Sequence, residues 1–365
     1  MWLKESIRKS AGVSRFFSAG RPGNRVTVSA LNILATIQFV WFYLTRVPSA
    51  LDLLAYEAWR ERTPFQYRLL MVYPLRWAHH DAFLTALAAQ LTHLPGWFPS
   101  PVHPEGILEA VINLICVGIA GIVARRIYEA ASRTGALAPL VYPLTLAMAV
   151  TTYTMLTMSH LRFVYDLPSL ALFSIGLYLI YFRYHPVWFG ALFVVATLNR
   201  ETSLFLLVIY AIDCSLTGDG RMDWRNLLRP RFTAVFASLS VYWLAWHLWV
   251  VQRFAANPVQ SVRNRLVMNL GVIMVPLSWP QLFAVGGYFL PFLLINRSVV
   301  QNPRLRAWYW VLPLWFIFMM RYGLMSEIRL FGELIPYFAC LTALVCESKM
   351  VKMVRMTKMC ALWPD

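Results

Sequence analysis

The chain has 365 residues, of which 59% are hydrophobic, 15% aromatic and only 14% charged, and its mean hydropathy of +0.55 excludes an ordinary soluble domain of this size. The formal net charge is +16, but Lys and Arg sit in short connectors between apolar runs rather than on one soluble face, so the charge reads as membrane topology and no nucleic-acid partner is expected. Five cysteines (Cys116, Cys214, Cys340, Cys346 and Cys360) lack the paired spacing of a zinc site or a disulfide framework.

These properties predict an all-α fold, a polytopic transmembrane helical bundle. A single integral domain over 26–347 is flanked by a basic N-terminus, 1–25, and a basic tail, 348–365. Lys4, Arg8, Lys9, Arg15, Arg21 and Arg25 against Glu5 alone put the N-terminus in the cytoplasm, and Val26 to Thr45 is too long for a signal-peptide core. It reads as an uncleaved first span, although an acid-poor, Arg- and Ser-containing start also fits an organellar transit peptide.

The region 46–105 then reads as a long extracytoplasmic loop. Within it, "TPFQYRLLMVYPLRWAHH" mixes Phe65, Leu69, Leu70, Val72, Tyr73, Leu75 and Trp77 with Arg68, Arg76, His79 and His80, a composition suited to a helix lying in the interface. "DAFLTALAAQLTHL" reads as a second such helix. Spans follow at Gly106 to Ala124, Leu137 to Met158, Leu167 to Phe182, Phe232 to Val251, Trp279 to Ile295, Trp308 to Met320 and Leu330 to Val345.

Val187 to Asp213 fits this series poorly. Two apolar pieces meet at Asn199, Arg200 and Glu201, and neither piece alone crosses a hydrocarbon core of about 30 Å. If the segment crosses once, every later basic loop is inverted. If it enters and returns as two half-helices, Arg221, Arg225, Arg229 and Arg231 are cytoplasmic, as is the tail with Lys349, Lys352, Arg355 and Lys358. The second reading gives eight full spans plus a re-entrant pair, with both termini inside the cell.

On that topology Arg68, Arg162, Asp166, Arg321, Glu327 and Arg329 fall at the outer boundary, and Asn199, Arg200, Glu201 and Glu333 lie deeper. Charges at such depths are costly and face a cavity or a partner. Structural explanations are available for several of them. Asp166, before Leu167 and Pro168, suits a helix N-cap; Arg329 and Glu333 are i, i+4 neighbours on a helix; Arg200 has Glu201 or Asp166 to pair with. Arginines beside carboxylates also suit a phosphate, which the planar guanidinium grips with two parallel hydrogen bonds, leaving a carboxylate to act as general base.

"PFQYRLL", "YDLPSLALF", "LNRETSLF" and "EIRLFGELIP", together with the order of an N-in first span, a long first outer loop and many later spans, resemble the GT-C class of integral membrane glycosyltransferases and uncharacterised bacterial membrane proteins grouped near it. The resemblance implies sugar transfer from a polyprenyl-phosphate donor to an extracytoplasmic glycan, lipid or protein acceptor at the cell envelope, in a bacterial inner membrane. It also implies a catalytic carboxylate in the first outer loop, for which the positional matches are Asp52 and Glu57, with Asp166 a further candidate base. Arg68, His160, Arg162, Asn199, Arg200, Glu201, Arg321, Glu327, Arg329 and Glu333 would then contact the substrate.

The class often uses a divalent cation, but "LDLLAYEAW" carries no paired acidic motif, so no metal ligands are assigned, and either a divalent cation or the arginines would neutralise the phosphate. His79, His80 and Asp81 offer no convincing metal spacing, because successive residues on a helix diverge by about 100°. Nucleotide-binding and hydrolase motifs are absent. Two other classes remain open: a transporter or flippase for a lipid-linked or anionic substrate, and a non-catalytic subunit of a membrane complex.

Overall fold

The computed structural model describes residues 22–93, 102–154, 161–259 and 265–360, without the side chains of 22–25 and 355–360. The described residues are helical, with isolated bridges such as Ser49 to Arg162 and Thr63 to Val259 in place of strands.

Helix α1, Pro22–Arg46, is followed by the loop helices α2 (Leu53–Glu57), α3 (Val72–His80) and α4 (Ala82–Thr92). Two aspartates start loop helices: Asp52 accepts from the Ala55 amide at 3.1 Å, and Asp81 from the Leu84 amide at 2.9 Å. Each satisfies an amide that the helix itself leaves unpaired. The bundle proper contains α5 (Pro104–Ala131), α6 (Ala138–Thr154), α7 (Asp166–Tyr181), α8 (Pro186–Asn199), α9 (Leu204–Cys214) and α10 (Pro230–Arg253). The short helices α11 (Leu266–Met274), α12 (Trp279–Phe283), α13 (Phe289–Ile295) and α14 (Pro303–Ala307) lead to α15 (Val311–Tyr322) and α16 (Ile335–Cys360).

The core lies among α5, α6, α7 and α16. The stretch from Ile328 into α16 is buried throughout the membrane-length window, whereas α10 buries little: Phe236, Leu239, Tyr242 and Trp243 pack against the core, and Val241, Leu244, Leu248 and Trp249 are exposed. An apolar surface of that extent suits lipid rather than water. At Gly121 a Cβ would stand 2.4 Å from the Tyr142 ring, so glycine there permits the close approach of α5 and α6. A second core gathers Leu51, Tyr56, Leu69, Val72, Leu75, Phe163 and Tyr165 and fastens the first loop to the segment before α7.

Among the described residues, four segments have the length and hydropathy to cross a membrane: Val26–Arg46, Pro104–Ala131, Pro230–Arg253 and Ile328–Val354. A fifth arises if Leu266–Met274 and Pro276–Phe283, bent by 95°, form one span. The chain is thus an integral membrane protein of the polytopic all-α kind, although helix length alone does not yield eight spans. The expected span Trp279 to Ile295 is broken at Gly286, Gly287 and Tyr288, whose φ angles of 63°, 66° and 69° place them in the left-handed region. Two consecutive glycines make that break cheap. The break expected between the two apolar pieces of 187–213 is present in the backbone: α8 stops at Asn199, Arg200 is extended, and α9 starts after a short 3-10 turn at Glu201–Ser203.

Candidate functional site: a buried arginine and carboxylate network

The break between α8 and α9 is where the charged residues meet. The amides of Leu69 and Leu70 both donate to the Leu198 carbonyl, at 2.8 and 3.1 Å, capping the end of α8 with first-loop backbone. The Tyr56 hydroxyl donates to the Arg68 carbonyl and steadies the same segment. Arg68 is thereby held beside the break, with its guanidinium 4.3 Å from the centre of the Tyr165 ring.

Four members of the network are enclosed: Asp166 is 0%, Arg200 2%, Glu333 2% and Arg329 5% exposed. Arg329 Nη1 donates to both Asp166 carboxylate oxygens, at 3.3 and 3.1 Å, and its Nη2 donates to Glu327 at 2.7 Å. Its guanidinium also lies 3.9 Å from the centre of the Phe163 ring, a cation–π contact of the kind desolvated arginines favour. Arg200 Nη1 stands between Asp166 at 3.6 Å and Glu333 at 3.5 Å. Thr202 donates to Glu333 at 2.6 Å, and Asn199 donates to the Tyr165 carbonyl and to Ser169.

The rim is more open. Arg68 Nε and Glu201 are 3.5 Å apart, with side chains 12% and 19% exposed, and Glu327 is 24% exposed. Several buried polar atoms of the network have no hydrogen-bond partner: Arg68 Nε, Arg200 Nε and Nη1, Glu333 Oε2, Asn199 Oδ1 and the hydroxyls of Tyr153 and Tyr165. Folded proteins rarely leave such groups unpaired, and guanidinium donors without acceptors are suited to an anion.

Two structural explanations drawn from the sequence fail here. The Asp166 carboxylate is turned to Arg329 and Arg200 instead of capping its own helix. Arg329 and Glu333 do not pair as i, i+4 neighbours, because residues 328–334 form a 3-10 helix, in which side chains four apart no longer share a face. The 3-10 turn also brings Gly332 against Tyr153, and a Cβ at Gly332 would come within 2.1 Å of the Tyr153 hydroxyl. Gly332→Ala is therefore expected to destabilise the protein by about 1–3 kcal/mol, as overpacked cores do. Thermal unfolding in detergent checks this, and adding Tyr153→Phe should recover part of the loss.

Other candidates lie elsewhere. Arg162 donates from Nη1 to both oxygens of Glu109, at 2.5 and 2.6 Å, rather than joining Asp166. Glu109 is a carboxylate within the apolar run of α5, the sequence signal that marks this pair. Arg321 is exposed at the end of α15, with its guanidinium 5.5 Å from the Tyr322 ring. Asp52 is the exposed cap of α2. His160 lies outside the described residues.

Glu57, the remaining first-loop match, is buried and belongs to a separate group. With His79 and Glu105 it forms the one set among the described residues that brings three metal-type donors together. His79 Nδ1 and the Glu105 carboxylate are hydrogen-bonded, which raises the imidazole above its ordinary range. Burial, and then the Glu105 charge, raise Glu57. Beside this group an open cleft of about 400 Å³ is lined by Tyr73, Arg76, Trp77, His80, Asp81 and Ala82.

No family model and no curated protein matches the chain. Solved structures similar to it include two of ArnT from Cupriavidus metallidurans. The apo form is 17% identical, with a TM-score of 0.46, over 88% of this chain and 60% of its own. The form bound to undecaprenyl phosphate is 16% identical, with a TM-score of 0.46, over 94% of this chain and 64% of its own. The chain spans about three fifths of the length of that protein.

Proposed function

We propose that the chain is a membrane glycosyltransferase, moving a sugar from a polyprenyl-phosphate-linked donor to a hydroxyl of a carbohydrate or lipid acceptor on the extracytoplasmic side. In this reading eight spans and a re-entrant pair, α8 and α9, cross or enter a bacterial inner membrane with both termini inside. The observation that carries it is the meeting of Arg68, Arg200 and Arg329 at one helix break, where Arg68 and Arg200 have guanidinium donors without hydrogen-bond partners and partly exposed carboxylates form the edge.

The acceptor oxygen attacks the anomeric carbon while the bond from that carbon to the phosphate oxygen breaks. The phosphate leaves with the electron pair, and the hydroxyl proton passes to a carboxylate. Glu201 suits that last task, because an arriving phosphate would displace it from Arg68, to which it is held loosely at 3.5 Å. Asp166 and Glu333, both enclosed, hold Arg200 and Arg329 in place. The guanidiniums stabilise the leaving phosphate in an environment of low dielectric, where fixed charges act strongly.

A carrier would extend ionisable groups across the bundle. From Asp166 to the Ile180 and Tyr181 carbonyls that Arg304 binds, α7 runs about 22 Å, and the residues it buries between, Leu170, Phe173, Ser174 and Leu177 among them, include no acidic or basic side chain. That favours a one-sided site. Purified protein supplied with a panel of polyprenyl-phosphate sugars and membrane glycolipid should release free polyprenyl phosphate. Arg68→Gln should weaken donor binding by about 10- to 100-fold, the worth of one charged hydrogen bond. Absence of donor turnover across the panel, with unaltered donor binding in Arg68→Gln, would remove the reading.

A further inference from the structure

We infer that Glu57, His79 and Glu105 form a binding site for one divalent transition-metal cation, with Zn2+ the ion best fitted, fastening the first loop to the start of α5. Each residue comes from a different element: Glu57 ends α2, His79 lies in the last turn of α3, and Glu105 lies in the first turn of α5. One donor atom from each lies within 4.8 Å of the other two. Around a single ion, ligands at about 2.0–2.2 Å fit such a group after small side-chain rotations.

A second, independent observation points the same way. Glu57 is 7% exposed, and its Oε1 is buried without a hydrogen-bond partner. Glu105 is also buried, at 4% exposed. Two carboxylates enclosed side by side repel; the imidazole is hydrogen-bonded to one of them and the exposed Arg76 adds a charge near Glu57, whereas a dication ligated by both carboxylates offsets both directly. His79 is 40% exposed, which leaves water access to a fourth position. One imidazole with two carboxylates suits Zn2+, whereas Mg2+ and Ca2+ prefer all-oxygen shells with more ligands. The neighbours acting on Glu57 are Glu105, His79 and Arg76, none of them in the arginine network. The site therefore does not depend on the proposed transfer chemistry.

The test uses the full chain, tag-free in detergent, stripped with chelator, desalted and titrated with Zn2+ by calorimetry, with metal content measured after a second desalting. One retained equivalent per chain is expected, and saturation should raise the unfolding temperature. His79→Gln and Glu105→Gln should each weaken Zn2+ binding by about tenfold or more. His80→Gln should leave it unchanged, because His80, although its ring packs edge-on 5.1 Å from that of His79, is not one of the three converging donors. Because His79 is half exposed, its replacement spares the core. Failure of the unsubstituted protein to retain one equivalent overturns the site, and so does binding by His79→Gln and Glu105→Gln equal to that of the unsubstituted chain.

Discussion

Arg200→Gln is expected to lower the stability of the folded protein by about 3–5 kcal/mol, the scale seen when one partner of a buried ion pair is removed. The cause is what the substitution leaves behind. Asp166 and Glu333 are enclosed, and Arg200 is the cation between them, at 3.6 and 3.5 Å. Asp166 retains Arg329, but Glu333 keeps no cation at ion-pair distance, only hydroxyl partners such as Thr202. A carboxylate buried on those terms must protonate or draw in water.

A second substitution separates this cause from simple loss of packing. Glu333→Gln in the Arg200→Gln background removes the stranded charge at nearly constant volume, so the double variant should be more stable than Arg200→Gln alone. Thermal unfolding in one detergent, read as a double-mutant cycle, gives the coupling. Additive losses would mean that Arg200 and Glu333 do not neutralise each other.

The legible and illegible parts of this network differ for physical reasons. The helix break at Asn199, Arg200 and Glu201 could be read because two apolar pieces too short to span must stop somewhere, and charges in the gap mark the place. Two loop helices were legible in kind, since "TPFQYRLLMVYPLRWAHH" and "DAFLTALAAQLTHL" carry apolar residues at helical spacing and contain α3 and α4, although the first stretch opens with a 3-10 turn at Phe65–Tyr67. Pairing was not legible. Arg329 met Asp166 and Glu327 because the backbone over 328–334 tightens to a 3-10 helix, which no local pattern in "EIRLFGELIP" announces. Arg162 found Glu109 across the fold, a contact set by how α5 packs against α7. Glu57, His79 and Glu105 converge in the same way, from three elements with no spacing motif between them.

Glu201→Gln is expected to cut turnover by about 100- to 10,000-fold, the range for loss of a general base, while donor binding and thermal stability stay close to those of the unsubstituted chain. Glu201 is partly exposed and loosely held, so an amide of equal size fits its place; Arg68 loses that carboxylate but keeps some solvent contact and the Tyr165 ring against its guanidinium. The Trp243 indole bonds to the Glu201 backbone carbonyl at 3.0 Å, a contact that the substitution leaves intact. Asp166→Asn should behave differently. Asp166 faces two guanidiniums in a closed environment, so its loss should reduce stability and donor binding together with turnover, because the arginines lose their anchor. The split between the two variants distinguishes a base at the rim from a positioning residue within. A loss of turnover confined to Asp166→Asn, with Glu201→Gln fully active, would move the proton acceptor away from the rim, and equal activity of both variants with the unsubstituted chain would leave the network a helix-organising device without chemistry.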